Sequence, residues 1–72
     1  MGAKLKGANL RRANLDGVNV ECADFRVADL SYADLDGANV KGANFRGAHL
    51  EGAHYSKVDF GTAKLDGATG LN

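Results

Sequence analysis

A strict period of five residues runs through almost the whole chain. All twelve alanines leave the same remainder when their number is divided by five, and Val18 and Val58 fill the two gaps in that track. A second track, two residues further on, holds only large apolar residues: Leu5, Leu10, Leu15, Val20, Phe25, Leu30, Leu35, Val40, Phe45, Leu50, Tyr55, Phe60 and Leu65. Together the tracks hold 27 of the 32 hydrophobic residues, so any core must be built from them.

The other three positions of each unit are also regular. Asn or Asp usually separates the small residue from the large one, as at Asn9, and the large residue is followed by a polar residue and then by a preferred glycine, as at Gly7. The unit is therefore Ala-[Asn/Asp]-[Leu/Phe/Val]-x-Gly, repeated thirteen times over residues 3–67. The pattern becomes irregular only at the C-terminal end, residues 68–72, where Gly70 stands in the place of a large residue.

This spacing excludes an amphipathic helix and predicts short strands joined by corners. On an α-helix five residues advance by about 500°, so successive large residues would scatter around the cylinder. The Ala-x-Leu triplet has instead the alternation of a half-buried strand, and the polar residue and glycine that follow it suit a tight turn. Residues 15–20 recur as residues 35–40 with one change in six. Four units therefore form one coil, and the chain is predicted to be an all-β solenoid of about three and a half coils.

On these residues the chain resembles the pentapeptide-repeat family, whose pattern is A(D/N)LXX. The resemblance covers residues 3–69, and it implies a right-handed quadrilateral parallel β-helix with four pentapeptides in each coil. We therefore expect residues 1–72 to form a single domain. The large residue and the small residue two positions before it then point inward, in ladders of residues twenty apart, for example Leu5, Phe25, Phe45 and Leu65.

Composition narrows the classes of function. Nine Lys and Arg residues balance nine Asp and Glu residues, which argues against a direct nucleic-acid binder or an anionic-membrane binder. No apolar run is long enough for a transmembrane helix or a signal peptide, so we expect a cytoplasmic protein. The single cysteine, Cys22, excludes an internal disulfide and a multi-cysteine zinc site, and leaves open a disulfide between two chains.

No cluster of residues indicates catalysis, a metal site or a cofactor. His49 and His54 occupy consecutive outward positions with a corner between them, so we interpret both as surface residues that replace Asn or Asp rather than as metal ligands. Cys22 has no histidine within one coil of it in the sequence to activate its thiol as a nucleophile. A filled apolar axis leaves no room for a cofactor. We therefore predict that the protein is not an enzyme.

The surface charges are predicted to be unevenly distributed over the walls of the coil. The candidate interaction residues are Lys6, Arg26, Arg46 and Lys64 on a basic wall, and Asp16, Asp34 and Asp36 on an acidic wall. They would form an electrostatic docking surface for a protein partner or for a neighbouring copy, and the alternative is that they only confer solubility. Val27 and Tyr32 are apolar residues at corners, and we interpret both as packing over the edge of the solenoid. The alternative is that they mark a contact patch.

Two functions of different classes are compatible with the sequence. The first is a non-enzymatic structural or protein-interaction scaffold. The second follows from the resemblance alone: some larger pentapeptide-repeat proteins imitate B-form DNA and bind DNA gyrase, which protects bacteria from quinolones. The balanced charge and the uninterrupted repeats argue against this second function. Because the pattern begins at Ala3 without a polar cap, we also expect either an excised or engineered segment or end-to-end self-association.

Overall fold

The computed structural model of the protein describes residues 2–71. Within this range there is no helix and no extended strand, and the backbone pairs through single-residue parallel bridges between residues twenty apart, such as Lys4 with Asp24 and Asp24 with Asn44. Four pentapeptides separate each residue from its partner, and the body measures 23 × 22 × 20 Å. The predicted β-solenoid is confirmed, whereas its right-handed sense and quadrilateral cross-section stay predictions.

Each coil consists of four three-residue walls joined by two-residue corners. Walls A and B comprise residues 3–5, 23–25, 43–45 and 63–65, and residues 8–10, 28–30, 48–50 and 68–70, respectively. Walls C and D comprise residues 13–15, 33–35 and 53–55, and residues 18–20, 38–40 and 58–60. The corners take the names of the walls that they join: AB (6–7, 26–27, 46–47, 66–67), BC (11–12, 31–32, 51–52), CD (16–17, 36–37, 56–57) and DA (21–22, 41–42, 61–62).

Backbone hydrogen bonds join each coil to the next at both walls and corners. On wall A, the Phe25 N–H donates to the Asn44 carbonyl at 2.7 Å, and the Asn44 N–H donates to the Ala23 carbonyl at 2.9 Å. At the AB corner, the Val27 N–H donates to the Arg46 carbonyl at 2.9 Å. The same pattern recurs along most of the chain, so the backbone of one coil provides the hydrogen-bond partners of the next.

Each corner is a β-turn, closed for example by a 3.0 Å hydrogen bond from the Ala28 N–H to the Phe25 carbonyl. The second corner residue has a positive φ at every position from 2 to 67 except Thr62, as in a type II turn. Glycine adopts this conformation without steric cost, which explains why the sequence prefers it there. Five corners hold a side chain in the same conformation, at a cost of about 1–2 kcal/mol each: Arg12, Cys22, Val27, Tyr32 and Lys57.

The polar residue at the centre of a wall braces the corner that follows it. Asp34 is typical, because its Oδ1 accepts the backbone N–H of Asp36 at 3.0 Å. This Asx turn explains the preference for Asn or Asp at that position. His54 cannot make the same bond, and the N–H of Ser56 instead donates to Oδ1 of Asp36 in the preceding coil, at 2.8 Å.

The inward side chains fill the axis of the solenoid. Phe25 and Phe45 stack with ring centroids 4.8 Å apart and an interplanar angle of 7°, and Phe60 meets Phe45 edge-on at 5.9 Å. Large side chains in the second and third coils are almost completely buried: Phe25, Leu30, Leu35, Val40, Phe45 and Leu50. Those of the first and last coils, such as Leu5 and Leu65, are half-buried because this chain provides a neighbouring coil on one side only.

The chain keeps its pairing through Thr69 and then leaves the pattern. The Thr69 N–H donates to the Ala48 carbonyl at 3.0 Å. Gly70 has a φ of +87° and lies against the backbone of Glu51, where an added Cβ would collide. A large residue therefore cannot occupy this position, and Leu71 packs against the core instead.

Wall D contains an interruption of the ladder. Within residues 2–71, no backbone hydrogen bond or bridge joins residues 38–40 to residues 58–60. The adjoining corner holds Gly61 and Thr62 in the reverse of the usual order, so a β-branched residue occupies the place where a positive φ is needed. The five-residue period alone predicts a regular unit here, and the misplaced glycine is the signal that distinguishes it.

The corner at Gly61 and Thr62 explains the interruption. The turn from Phe60 to Ala63 closes at 3.0 Å without a positive φ, and such a turn differs from type II by reversal of its central peptide. That reversal directs the Gly61 carbonyl away from the preceding coil. The N–H of Gly42 then donates to the Thr62 hydroxyl at 3.0 Å, rather than to a backbone carbonyl.

We expect Thr62→Gly to restore the type II corner and with it the pairing of wall D. Glycine would permit a positive φ at position 62, so that the Gly61 carbonyl could accept the N–H of Gly42. Amide hydrogen exchange should then slow at Gly42 and at Val40, whose N–H would gain the carbonyl of Asp59. Thr62→Ser, which keeps the hydroxyl and remains unfavourable at positive φ, is the matched control. Unchanged exchange at both amides in Thr62→Gly would contradict this explanation.

Candidate interaction surfaces

Both arginines predicted for the basic wall are paired with carboxylates. Arg26 Nε and Nη2 donate to the two oxygens of Asp24 at 2.9 and 2.7 Å. At the AB corner of the next coil, Nε of Arg46 lies 3.6 Å from Oδ2 of Asp66. The positive charge of these arginines is therefore balanced locally.

The lysines of the same surface are free of such pairing. Lys6 follows wall A at the AB corner, and Lys4 and Lys64 occupy the centre of wall A in the first and last coils. All three are exposed, and none makes an ion pair with another residue in the described range 2–71. The basic character of wall A thus depends on lysines, and its role in docking stays a prediction.

The bidentate contact from Arg26 lowers the pKa of the Asp24 carboxyl to about 2, and the backbone N–H of Arg26 contributes a second, smaller effect. We expect Arg26→Gln to raise this pKa towards its ordinary value of about 4. Lys6→Gln, which removes only a weaker Coulombic influence, should move it less. Because folding lowers this pKa, the associated stabilisation is present above about pH 4 and is lost as the pH falls through about 2.

An NMR titration that follows the carboxyl carbon of Asp24 measures this prediction directly. The wild type, Arg26→Gln and Lys6→Gln are compared over the acid range at one ionic strength. A titration midpoint in Arg26→Gln equal to that of the wild type would show that the hydrogen bonds from this guanidinium do not set the pKa of Asp24.

The predicted acidic residues lie on wall C and the CD corner. Asp16 is exposed, whereas Asp34 and Asp36 are half-buried and use one oxygen each to accept a backbone N–H. None of the three forms an ion pair with any residue from 2 to 71. The unpaired lysines and the unpaired carboxylates therefore belong to different walls, A and C, and to the corners that follow them.

A second arrangement, at the BC corner, was only partly anticipated from the sequence. Tyr32 is 53% exposed, and its ring lies 5.3 Å from the guanidinium carbon of Arg12 and 5.9 Å from that of Arg11. Arg11 also contacts the Asp29 carboxylate at 3.4 Å, whereas Arg12 makes no ion pair within the described residues. The sequence pattern indicates Tyr32 as an apolar corner residue, but it does not indicate that the two arginines approach its ring. The signal was that Arg12 and Tyr32, twenty residues apart, both replace a corner glycine.

The two histidines lie on different walls. On wall B, Nδ1 of His49 is 3.3 Å from the Thr69 hydroxyl and 4.0 Å from Oε1 of Glu51. The hydroxyl of Thr69 holds the pKa of Glu51 below its ordinary range. The side chains of His49 and Glu51 are both more than half exposed, and His54 is on wall C beyond the BC corner. Water therefore reaches this network freely.

Cys22 is exposed at the DA corner with a φ of 58°. Across residues 2–71 there is neither a detectable cavity nor a group of three or more His, Cys, Asp or Glu side chains that could hold a metal ion. In the same range, no helix has the length and apolar character needed to cross a membrane.

The sequence of this chain matches the model of a known protein family. The family model for pentapeptide repeats matches residues 2–31 and 43–69, in eight copies. The chain belongs to the pentapeptide-repeat family. The residues between the two matched stretches contain the same five-residue pattern and the same bridges, for example Asn19 with Asn39. The solenoid therefore continues through a stretch that the family model leaves unmatched.

Solved structures of other pentapeptide-repeat proteins are similar to this one. A pentapeptide-repeat protein from Nostoc is 35% identical with a TM-score of 0.53, over 90% of this chain and 62% of that one. A pentapeptide-repeat protein from the thylakoid lumen of Arabidopsis thaliana is 31% identical with a TM-score of 0.44, over 93% of this chain and 61% of that one. This chain thus spans less than two thirds of either relative. No curated protein matches its sequence.

Proposed function

We propose that this pentapeptide-repeat protein is a non-enzymatic scaffold: a right-handed quadrilateral solenoid whose walls bind other proteins. The observation that carries the proposal is the filled axis, in which Phe25 and Phe45 stack at 4.8 Å between rings of buried leucine and alanine. A core of this kind holds no substrate, so specificity has to come from the side chains on the walls. Many short backbone bridges fix those side chains in regular rows.

Wall A is the proposed docking surface, and an acidic protein segment is the proposed partner. Lys4, Lys6 and Lys64 project from it without ion pairs among the described residues. Carboxylates of a partner would find unbalanced positive charge there, while Arg26 and Arg46 are already engaged by Asp24 and Asp66. Such exposed charges contribute mainly to the association rate and to specificity.

Site-specific photo-crosslinking tests this proposal. A photoreactive residue at position 41, an exposed place at the DA corner beside wall A, should capture a partner in the wild-type background. Lys6→Gln with Lys64→Gln should abolish capture, whereas Lys57→Gln, the same change on the CD corner, should not. Capture that is equal in all three backgrounds, or that is absent from all of them, would refute docking at wall A.

The gyrase-binding alternative gains no support from the arrangement of charges. Several carboxylates lie directly beside cations, as Asp24 does with Arg26 and Asp29 with Arg11. A mimic of duplex DNA needs unbalanced negative charge at intervals of about 1.7 Å along its axis. Paired carboxylates do not provide it.

A further inference from the structure

The BC corner displays a defined order of groups from coil to coil. In the first coil it presents the Arg11 and Arg12 guanidiniums, and in the second it presents Tyr32, whose ring lies over Gly52 of the third coil. In the third coil it presents the Glu51 carboxylate, whose Oε1 lies 4.0 Å from Nδ1 of His49 on wall B. The side chains named here are all exposed, whereas Ser31 at the same corner is buried. Tyr32 makes no hydrogen bond through its hydroxyl within residues 2–71. From the first coil to the third, the BC corner therefore presents a cation, a hydroxyl donor and an anion.

The CD corner, at the other edge of wall C, displays the opposite order. It presents the Asp16 carboxylate in the first coil and the Asp36 carboxylate in the second. In the third coil it presents the Lys57 ammonium group, which is exposed and has no ion pair within the described part of the chain. From the first coil to the third, this corner therefore presents an anion, an anion and a cation, and each group complements the group from the same coil on the BC corner.

We propose that wall C is a self-complementary interface through which two copies of the chain form a side-by-side dimer. A two-fold axis parallel to the solenoid axis places the BC corner of each copy against the CD corner of the other. Arg12 then faces Asp16, Tyr32 faces Asp36, and Glu51 faces Lys57. Each pairing occurs twice, so one dimer satisfies six complementary contacts. The interface is independent of wall A, and therefore of the scaffold function proposed above.

The order of groups also selects the relative direction of the two copies. With the two-fold axis perpendicular to the solenoid axis, the copies run antiparallel, and Arg12 faces Glu51 while Asp16 faces Lys57. In that arrangement, however, the Asp36 carboxylates meet each other at the second coil, instead of meeting the hydroxyl of Tyr32. Asp34 at the centre of wall C faces its own copy in either case, and so favours neither direction. The parallel dimer is the one that pairs Asp36 with a donor.

The size of the wall is sufficient for a specific but weak dimer. The body is nearly equal in its three dimensions, so one wall accounts for roughly a sixth of its 4182 Å² surface. Two walls would bury about 1,400 Å² in total, which lies within the range of specific interfaces. The surface is polar and charged, so we expect association in the micromolar-to-millimolar range that weakens as salt increases.

Sedimentation velocity over a wide concentration range tests the dimer and its direction. The wild type should associate to a dimer and no further, and Arg12→Asp should weaken the dimer about tenfold or more, because two attractions become two repulsions. Asp16→Arg should have the same effect. The double variant Arg12→Asp with Asp16→Arg should regain wild-type association in the parallel dimer. Aspartate is tolerated at the positive φ of residue 12, and thermal melts would verify that each variant is folded.

The other outcomes each overturn the proposal. Failure of the double variant to recover would indicate the antiparallel arrangement, because position 12 would then face Glu51. Equal weakening by Lys6→Asp, the matched charge reversal on wall A, would indicate association of wall A with wall C in an open series of copies. A dimer that is insensitive to all of these changes would place the contact at the ends of the solenoid, and a monomer at every concentration would exclude self-association.

Discussion

Replacing Phe45 with alanine is expected to cost about 3–5 kcal/mol of folding free energy, the range observed for fully buried aromatic residues. Phe45 has no exposed surface, stacks on Phe25 at 4.8 Å and meets Phe60 edge-on at 5.9 Å. A chain of 72 residues has about 4–11 kcal/mol of stability in total. The variant should therefore be largely unfolded, or should melt tens of degrees below the wild type.

The matched control is Phe60→Ala, which removes the same side chain from a less buried position. Phe60 is half-buried and belongs to the part of wall D that has lost its backbone pairing. We expect Phe60→Ala to lower the free energy of unfolding clearly less than Phe45→Ala does. At a partly solvated site the truncation creates a smaller cavity and removes less buried apolar surface. Urea unfolding followed by circular dichroism gives both values. Equal losses for the two variants would contradict a core centred on the stacked rings of the second and third coils.

The fold could be predicted from the sequence because the five-residue period of the apolar residues equals the length of one wall and one corner together. Leu30 and Leu35 are five residues apart, which would put them on different sides of a helix, yet both are completely buried. Only a backbone that turns at every fifth residue returns them to a common axis. The same arithmetic placed Tyr32 and Val27 at corners, and the structure leaves them 53% and 54% exposed. Local pattern determines these features, and no long-range contact is needed to recognise them.

The interruption in wall D could not be predicted in the same way. Whether the corner at Thr62 forms a type I-like or type II turn depends on competing small energies: the strain of a β-branched residue at positive φ against the hydrogen bonds lost by wall D. The pattern shows that glycine is misplaced at Gly61, but it does not show that the Thr62 hydroxyl can replace a backbone acceptor for Gly42. That compensation depends on contacts between residues twenty apart.

The charged surface was harder to predict than the core because its side chains are long. The sequence placed Arg26 and Arg46 on a basic wall but did not show which carboxylates they contact. In the structure their guanidiniums turn towards Asp24 and Asp66, which balances their charge locally. Similarly, nothing in the period indicates that Arg12 approaches the ring of Tyr32. Position along the chain determines which wall a residue belongs to, whereas its partners depend on rotamers.

Exchanging glycine and valine between two coils of the AB corner is expected to produce effects of opposite sign. Val27 and Gly47 occupy the same corner position, with φ values of 50° and 71°. Gly47→Val should destabilise the protein by about 2–3 kcal/mol, because a β-branched residue is strained at positive φ and its Cβ would lie 3.0 Å from Cγ1 of Val27. Val27→Gly should stabilise it by about 0.5–1 kcal/mol, since the relief of strain is offset in part by the greater entropy of glycine in the unfolded chain.

The double variant separates the two causes of the effect at position 47. With glycine at position 27 the close contact disappears, so Gly47→Val should cost less in the Val27→Gly background than in the wild type. The remaining cost is then the backbone strain alone, and the difference between the two backgrounds is the steric contribution. Chemical denaturation of the four proteins gives both quantities. If Val27→Gly instead lowers stability, the exposed valine contributes more through packing over Gly47 than its conformation costs, and the corner side chains would have to be counted as part of the fold.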